Sequence, residues 1–219
     1  QSHWTTKPMV HILPHWNWEG MEGKTIPVMS YTNADEVELF LNGRSLGSKK
    51  RFSEPVELPV GQNAGENGRF RSKYRLMWEV PWAPGTLKAV ARTGGKVVAT
   101  TEVRTAGAPA RLVLTPDRAS IQADGEDLSF ITVRVEDKDG NLCPLADNLV
   151  RFSLDGPASI AGVDNGNPAT VEAFQADNRK AFNGLALLIV RGKRGVSGSV
   201  KITATSNSLR SGTTTVTAK

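Results

Sequence analysis

The sequence predicts an all-β protein built as two tandem Ig-like β-sandwich domains, and three observations carry that prediction. Asn42-Gly43 and Gly94-Gly95 each separate two strand-like runs. Such pairs are the strongest short hairpin signal, because both turn positions tolerate positive φ. Ser129 to Asp137 alternates Ile131, Val133 and Val135 with Thr132, Arg134 and Glu136, the pattern of a strand with one face buried and one wet. Finally, no stretch of ten or more residues holds a helical period, while 21 glycines and 12 prolines punctuate the chain.

Taken in order, Val10 to Leu13 and Ile26 to Tyr31 are the first two strands, and Val37 to Leu41 with Arg44 to Lys50 make the Asn42-Gly43 hairpin. Lys73 to Trp82 is a longer strand carrying Tyr74, Trp78 and Trp82. Trp78 and Trp82, four apart, fall on one strand face, where packing in a core or at a domain junction is expected. Leu87 to Thr93 and Lys96 to Thr105 form the second hairpin around Gly94-Gly95. Six or seven strands in about 100 residues suit a sandwich. The pattern breaks at Thr105-Ala106-Gly107-Ala108-Pro109, so the domains are placed at 1–107 and 108–219. Arg111 to Thr115, Ser129 to Asp137, Val150 to Leu154, Leu185 to Arg191, Val200 to Thr205 and Thr213 to Thr217 supply the second strand set.

Composition narrows the function classes. With 39% hydrophobic residues the chain can bury a core, which argues against disorder. No apolar run approaches the ~18 residues of a membrane span, and the first residues lack the charged and apolar regions of an intact secretory signal. Cys143 is the only cysteine, which leaves no intramolecular disulfide and no Cys-rich zinc site. The net charge of +5 comes from 27 basic against 22 acidic residues. The densest basic runs, Lys49 to Arg51, Arg69 to Arg75 and Arg191 to Arg194, lack an aromatic platform or recognition helix and read as solvated loops. No nucleic-acid partner is expected.

Specific chemistry is equally sparse. The histidines are His3, His11 and His15, and Pro14 prevents one helix from presenting the last two to a metal. Asp137-Lys138-Asp139-Gly140-Asn141 imitates the start of a calcium loop, but Asn148 stands where the acidic ligand is needed, so a polar turn is the better reading. There is no Gly-x-Ser-x-Gly elbow, and Cys143 sits between Leu142 and Pro144 with no nearby histidine. Gly61 to Gly68 reads as a polar loop rather than a phosphate cradle. Spacing alone leaves a distant carboxylate pair open, but no acidic residue sits where catalysis is the better explanation. The sequence therefore assigns no catalytic residue, cofactor or metal.

One cluster stands out. His15-Trp16-Asn17-Trp18 packs two indoles, an imidazole and an amide into four residues. If the segment is extended, Trp16 and Trp18 share a side and form a platform for a sugar ring, with His15 or Asn17 bonding hydroxyls. The other reading, packing at the sandwich end or against another domain, is the commoner use of large aromatics.

Val10 to Trp18, Tyr31-Thr32-Asn33, Val37 to Gly43 and Val80 to Ala91 together resemble the sandwich that follows the catalytic barrel in family 2 glycoside hydrolases, β-galactosidase-like enzymes of Bacteroides-type bacteria. Ala123 to Phe130, Gly162 to Gly166 and Ala181 to Leu185 resemble their next, Ig-like C-terminal domain. The resemblance implies a retaining parent enzyme with two glutamates on a (β/α)₈ barrel. Such a barrel needs about 250 residues and alternating helices, so neither glutamate is carried onto this chain, and the fragment alone is not expected to be catalytic. Gln1 to Thr6 resembles the tail of the barrel's last helix. The implied role is a non-catalytic accessory region that supports and spaces the barrel of the same parent chain. A carbohydrate-binding pair using exposed tryptophans, with glycans as partners, is the alternative, and an adhesion or cell-surface stalk the weaker one. The resemblance implies a periplasmic or secreted parent.

Overall fold

The computed structural model describes residues 2, 4–51, 56–57, 69–70 and 75–219. His3, Tyr74, the Gly61 to Gly68 loop and most of the Arg69 to Arg75 run lie outside the described residues. The protein is all-β, with no helix among the described residues. Ser2 and Trp4 lie in turns and Thr5 and Thr6 in irregular backbone, so the described part of the expected helix tail is not helical. The chain divides into two compact units, Gln1–Thr105 and Ala106–Lys219.

The first unit contains β1 (Val10–Leu13), β2 (Thr25–Thr32), β3 (Glu36–Leu41), β4 (Arg44–Lys50), β5 (Val56–Glu57), β6 (Arg69–Phe70), β7 (Arg75–Pro81), β8 (Thr86–Thr93) and β9 (Lys96–Arg104). They form a three-stranded sheet β1-β2-β7, a four-stranded sheet β4-β3-β8-β9 and a short ribbon β5-β6. Alternation decides which side chains meet between the two larger sheets. Ile12, Val28, Trp78 and Val80 from one sheet join Val37, Leu39, Leu87 and Ala89 from the other in a single buried cluster. Each large aliphatic so buried contributes about 1.5–3 kcal/mol. The β3–β4 hairpin turns through Asn42 (φ 51°) and Gly43 (φ 81°), as an Asn-Gly pair allows.

The second unit contains β10 (Arg111–Pro116), β11 (Ser120–Ile121), β12 (Leu128–Glu136), β13 (Leu149–Asp155), β14 (Ala158–Asp164), β15 (Asn178–Lys180), β16 (Leu185–Gly192), β17 (Gly198–Thr205) and β18 (Gly212–Ala218). The sheets are β10-β12-β16-β14 and β11-β18-β17-β13-β15, antiparallel throughout except for the β11–β18 pair. Ile131, Val133 and Val135 point inward with Leu188, Val190, Val200 and Ile202. Glu136 departs from the expected alternation. It is buried, held between Arg111 Nη2 at 2.9 Å and Arg134 Nε at 3.0 Å, because two guanidiniums compensate the desolvation of its carboxylate.

Strands β11, β14 and β15 were not expected from the sequence. β11 and β15 are two and three residues long, too short for a period. β14 opens with the largely small-residue run Ala158, Ser159, Ile160, Ala161 and Gly162 and slips register between Ile160 and Gly162, a bulge that erases the alternation. Gly162 has a packing reason, since a Cβ there would run into the ring of Phe174.

Candidate functional site

The aromatic segment follows β1 in the first unit, through a cis Leu13–Pro14 bond. It is irregular backbone, not a strand. The condition for a two-indole platform is therefore not met, and Trp16 and Trp18 have different environments. Trp16 has no exposed surface and belongs to the core of its sandwich. Its Nε1 donates to the Ala83 carbonyl at 2.9 Å, and its own carbonyl accepts the Thr105 hydroxyl at 2.6 Å. Thr105 Oγ1 also accepts the Gly85 amide at 3.1 Å, so one residue joins the aromatic segment to the β7–β8 connection.

Trp18 is half-buried and packs against the edge of that core. Its indole stacks on His15, with ring centroids 4.8 Å apart and planes inclined by 23°. Trp18 Nε1 donates to the His15 carbonyl at 2.9 Å, and the Asn17 amide donates to His15 Nδ1 at 3.2 Å. An imidazole that accepts at Nδ1 is neutral, and burial lowers the His15 pKa from its ordinary value in the same sense. Asn17 is half-buried between the rings' residues. His15, Trp16, Asn17 and Trp18 thus form one rigid knot, most of whose hydrogen bonds end on backbone of the same unit. Trp78 and Trp82 are also buried there; Trp78 Nε1 donates to the Gly47 carbonyl at 3.3 Å, and Lys49 Nζ lies 5.8 Å over its ring.

No group of three or more His, Cys, Asp or Glu is placed to hold a metal among the described residues, and His11 is an exposed strand residue of β1. The loop that imitates a calcium site is occupied by protein donors. Asp137 Oδ1 accepts the amides of Asp139 and Asn141 at 2.9 and 2.8 Å. Its Oδ2 accepts the Gly107 amide at 2.8 Å and Asn141 Nδ2 at 3.0 Å. Burial alone would raise its pKa, yet the bonds from Asn141, Gly107 and Asp139 outweigh it and hold the carboxyl at about 2. Four donors on one buried carboxylate make a structural nail. Cys143 next door is buried, and burial followed by the charges of Asp137 and Glu136 pushes its thiol pKa up, the opposite of a nucleophile.

Sequence reasoning missed Arg179, whose side chain is 1% exposed. Its Nη2 donates to the carbonyls of Val163 at 2.7 Å and Ala173 at 3.2 Å, and its Nη1 lies 3.7 Å from Glu172 Oε2. The guanidinium thereby pins the long β14–β15 connection. Nothing in Asn178-Arg179-Lys180 signals this, because a polar triplet reads as a solvated turn.

The whole chain has counterparts among known proteins. A glycoside hydrolase family 2 C-terminal domain 5 matches residues 112–215, and a domain of unknown function (DUF4982) matches residues 23–99. β-Galactosidase BoGH2A of Bacteroides ovatus is 47% identical over 211 residues, 96% of this chain and 22% of that protein. The chain belongs to glycoside hydrolase family 2. It matches that family's C-terminal domains, and it spans about a fifth of the length of such family 2 relatives. A β-glucuronidase of Formosa agariphila is 33% identical over 188 residues, covering 84% of this chain and 17% of that one. The crystal structure of a β-glycosidase from Bacteroides vulgatus superposes with a TM-score of 0.85 at 35% identity, over 99% of this family 2 chain and 26% of the other. No helix among the described residues is long and apolar enough to cross a membrane.

Proposed function

We propose that this chain is the non-catalytic accessory region of a β-galactosidase- or β-glucuronidase-like enzyme, where its sandwiches support and space a catalytic barrel of the same polypeptide. The observation that carries this reading is the His15–Trp18 knot. Both indole N–H groups end on backbone carbonyls of its own unit, and what it presents outward is a half-buried His15–Trp18 stack suited to packing. The buried ionisable groups Asp137 and Arg179 likewise serve the fold, each saturated or engaged by backbone. In the full-length enzyme, Trp18→Ala and His15→Ala should lower Tm or raise KM while leaving kcat near that of the parent. Unchanged Tm and KM in both variants would refute the role. The proposal includes export of the enzyme to the periplasm or medium, which cell fractionation checks.

Glycan binding at this segment is the second reading, and it rests on Trp18 alone, since Trp16 has no exposed surface. Titration of galactosides followed by tryptophan fluorescence, with Trp18→Ala as control, separates the two.

A further inference from the structure

The outer face of the sheet β4-β3-β8-β9 in the first unit carries a feature that neither the fold nor the accessory role uses. Pairing register sets Ser45, Phe40, Lys88 and Glu102 side by side in one row across its four strands. Strand alternation turns this row away from Leu39, Leu87 and Ala89, which are fully buried on the other face. Solvent-facing positions of such a strand are ordinarily polar, yet Phe40 stands here half-buried with Val90 on the same face. The two line an open concavity of about 550 Å³.

Its walls are charged. Glu102 lies between Arg104 Nη2 at 2.8 Å and Lys88 Nζ at 3.7 Å. Two cations share one carboxylate, so the wall keeps one positive charge uncompensated, and Glu102 takes only one of the five N–H donors of Arg104. All three side chains are solvent-accessible, at 36% to 58% of their surface. One end is closed by Asn42, whose Oδ1 accepts the Thr86 amide at 2.8 Å and whose Nδ2 donates to the Pro84 carbonyl at 3.0 Å. The approach there is close enough to require glycine, because a Cβ on Gly85 would collide with the Asn42 amide.

We propose that this face is a saccharide-binding site selective for acidic sugars. The apolar face of a sugar ring lies on the Phe40 ring, its hydroxyls bond Glu102 and Lys88, and its carboxylate meets the free edge of the Arg104 guanidinium, which suits carboxylates in shape and charge. The site is independent of the barrel-supporting role and uses none of the residues of the His15–Trp18 knot.

The test is a ¹⁵N–¹H NMR titration of the 219-residue chain with digalacturonate and, separately, neutral galactobiose. Digalacturonate should give saturable shifts at residues 40, 86–90 and 102–104, with galactobiose at least about fivefold weaker. Arg104→Gln and Phe40→Leu, which keeps an apolar side chain but removes the ring, should each weaken digalacturonate about tenfold, equivalent to about 1.4 kcal/mol. Absence of saturable shifts at these amides overturns the proposal, as does full-strength binding in both variants. Equal affinity for galactobiose overturns the selectivity for acidic sugars.

Discussion

The two units hold their irregular segments by different means. In the first, indoles do it: Trp16 is sunk in the core with Trp78 and Trp82 and hydrogen-bonds one backbone carbonyl. In the second, no tryptophan is present, and a buried guanidinium and a buried carboxylate, Arg179 and Asp137, anchor the long connections. An indole brings mostly apolar area and one donor, so it is insensitive to pH and salt. A buried ion brings several hydrogen bonds and a desolvation cost, so its contribution depends on every partner being present. All five tryptophans lie between residues 4 and 82, in the first unit. Intrinsic fluorescence therefore follows that unit alone, and circular dichroism follows both.

The most severe way to break the comparison is to remove one anchor from each side. Trp16→Ala should cost about 3–5 kcal/mol through the cavity and the lost hydrogen bond, lowering the fluorescence midpoint and leaving the second unit's transition in place. Arg179→Ala should cost about as much by orphaning the Val163 and Ala173 carbonyls, with the opposite signature. A fluorescence transition that moves as far with Arg179→Ala as with Trp16→Ala would show that the anchors do not act within separate units.

Acid sharpens the contrast at a smaller scale. The Asp137 carboxyl is lowered from 3.8 to about 2. A depressed carboxylate pKa gives stability that is present above the ordinary value and lost as pH falls through the folded one. The second unit should therefore lose about 2 kcal/mol between roughly pH 4 and pH 2. Asp137→Asn should flatten that part of the curve, and an unchanged acid limb in the variant would assign the loss elsewhere.

The smallest effect belongs to His15. Its pKa is lowered from 6.5 by burial, so the folded state favours the neutral ring. That contribution is complete above pH 6.5 and declines as pH falls below it. Fluorescence melts should show the first unit softening slightly in this window, and His15→Gln should remove the slope. A slope that persists in His15→Gln would exclude this histidine as its source.

Much of this was legible along the chain. The hairpins at Asn42-Gly43 and Gly94-Gly95 and the alternation in β12 rest on local turn chemistry and a two-residue period, which need no tertiary information. The runs around Val37 to Gly43 and Gly162 to Gly166 likewise carried the family resemblance. β14 escaped because its bulge and small residues leave no period, and Glu136 was misplaced because a neighbouring strand supplied Arg111.

What the sequence determined by itself was the all-β class, most strand positions and the membership in family 2, since these depend on neighbours a few residues apart. The tertiary structure alone decided the fates of four similar-looking aromatic and charged groups. Trp16 went inward and Trp18 stayed at the edge because the chain bends after Leu13, so the two no longer alternate together. Arg179 was drawn inside by carbonyls that lie six and sixteen residues away in sequence. Phe40 met Lys88 and Glu102 only because register aligned three strands. Each outcome depends on which backbone groups and side chains become neighbours, and periodicity within one segment carries no record of that.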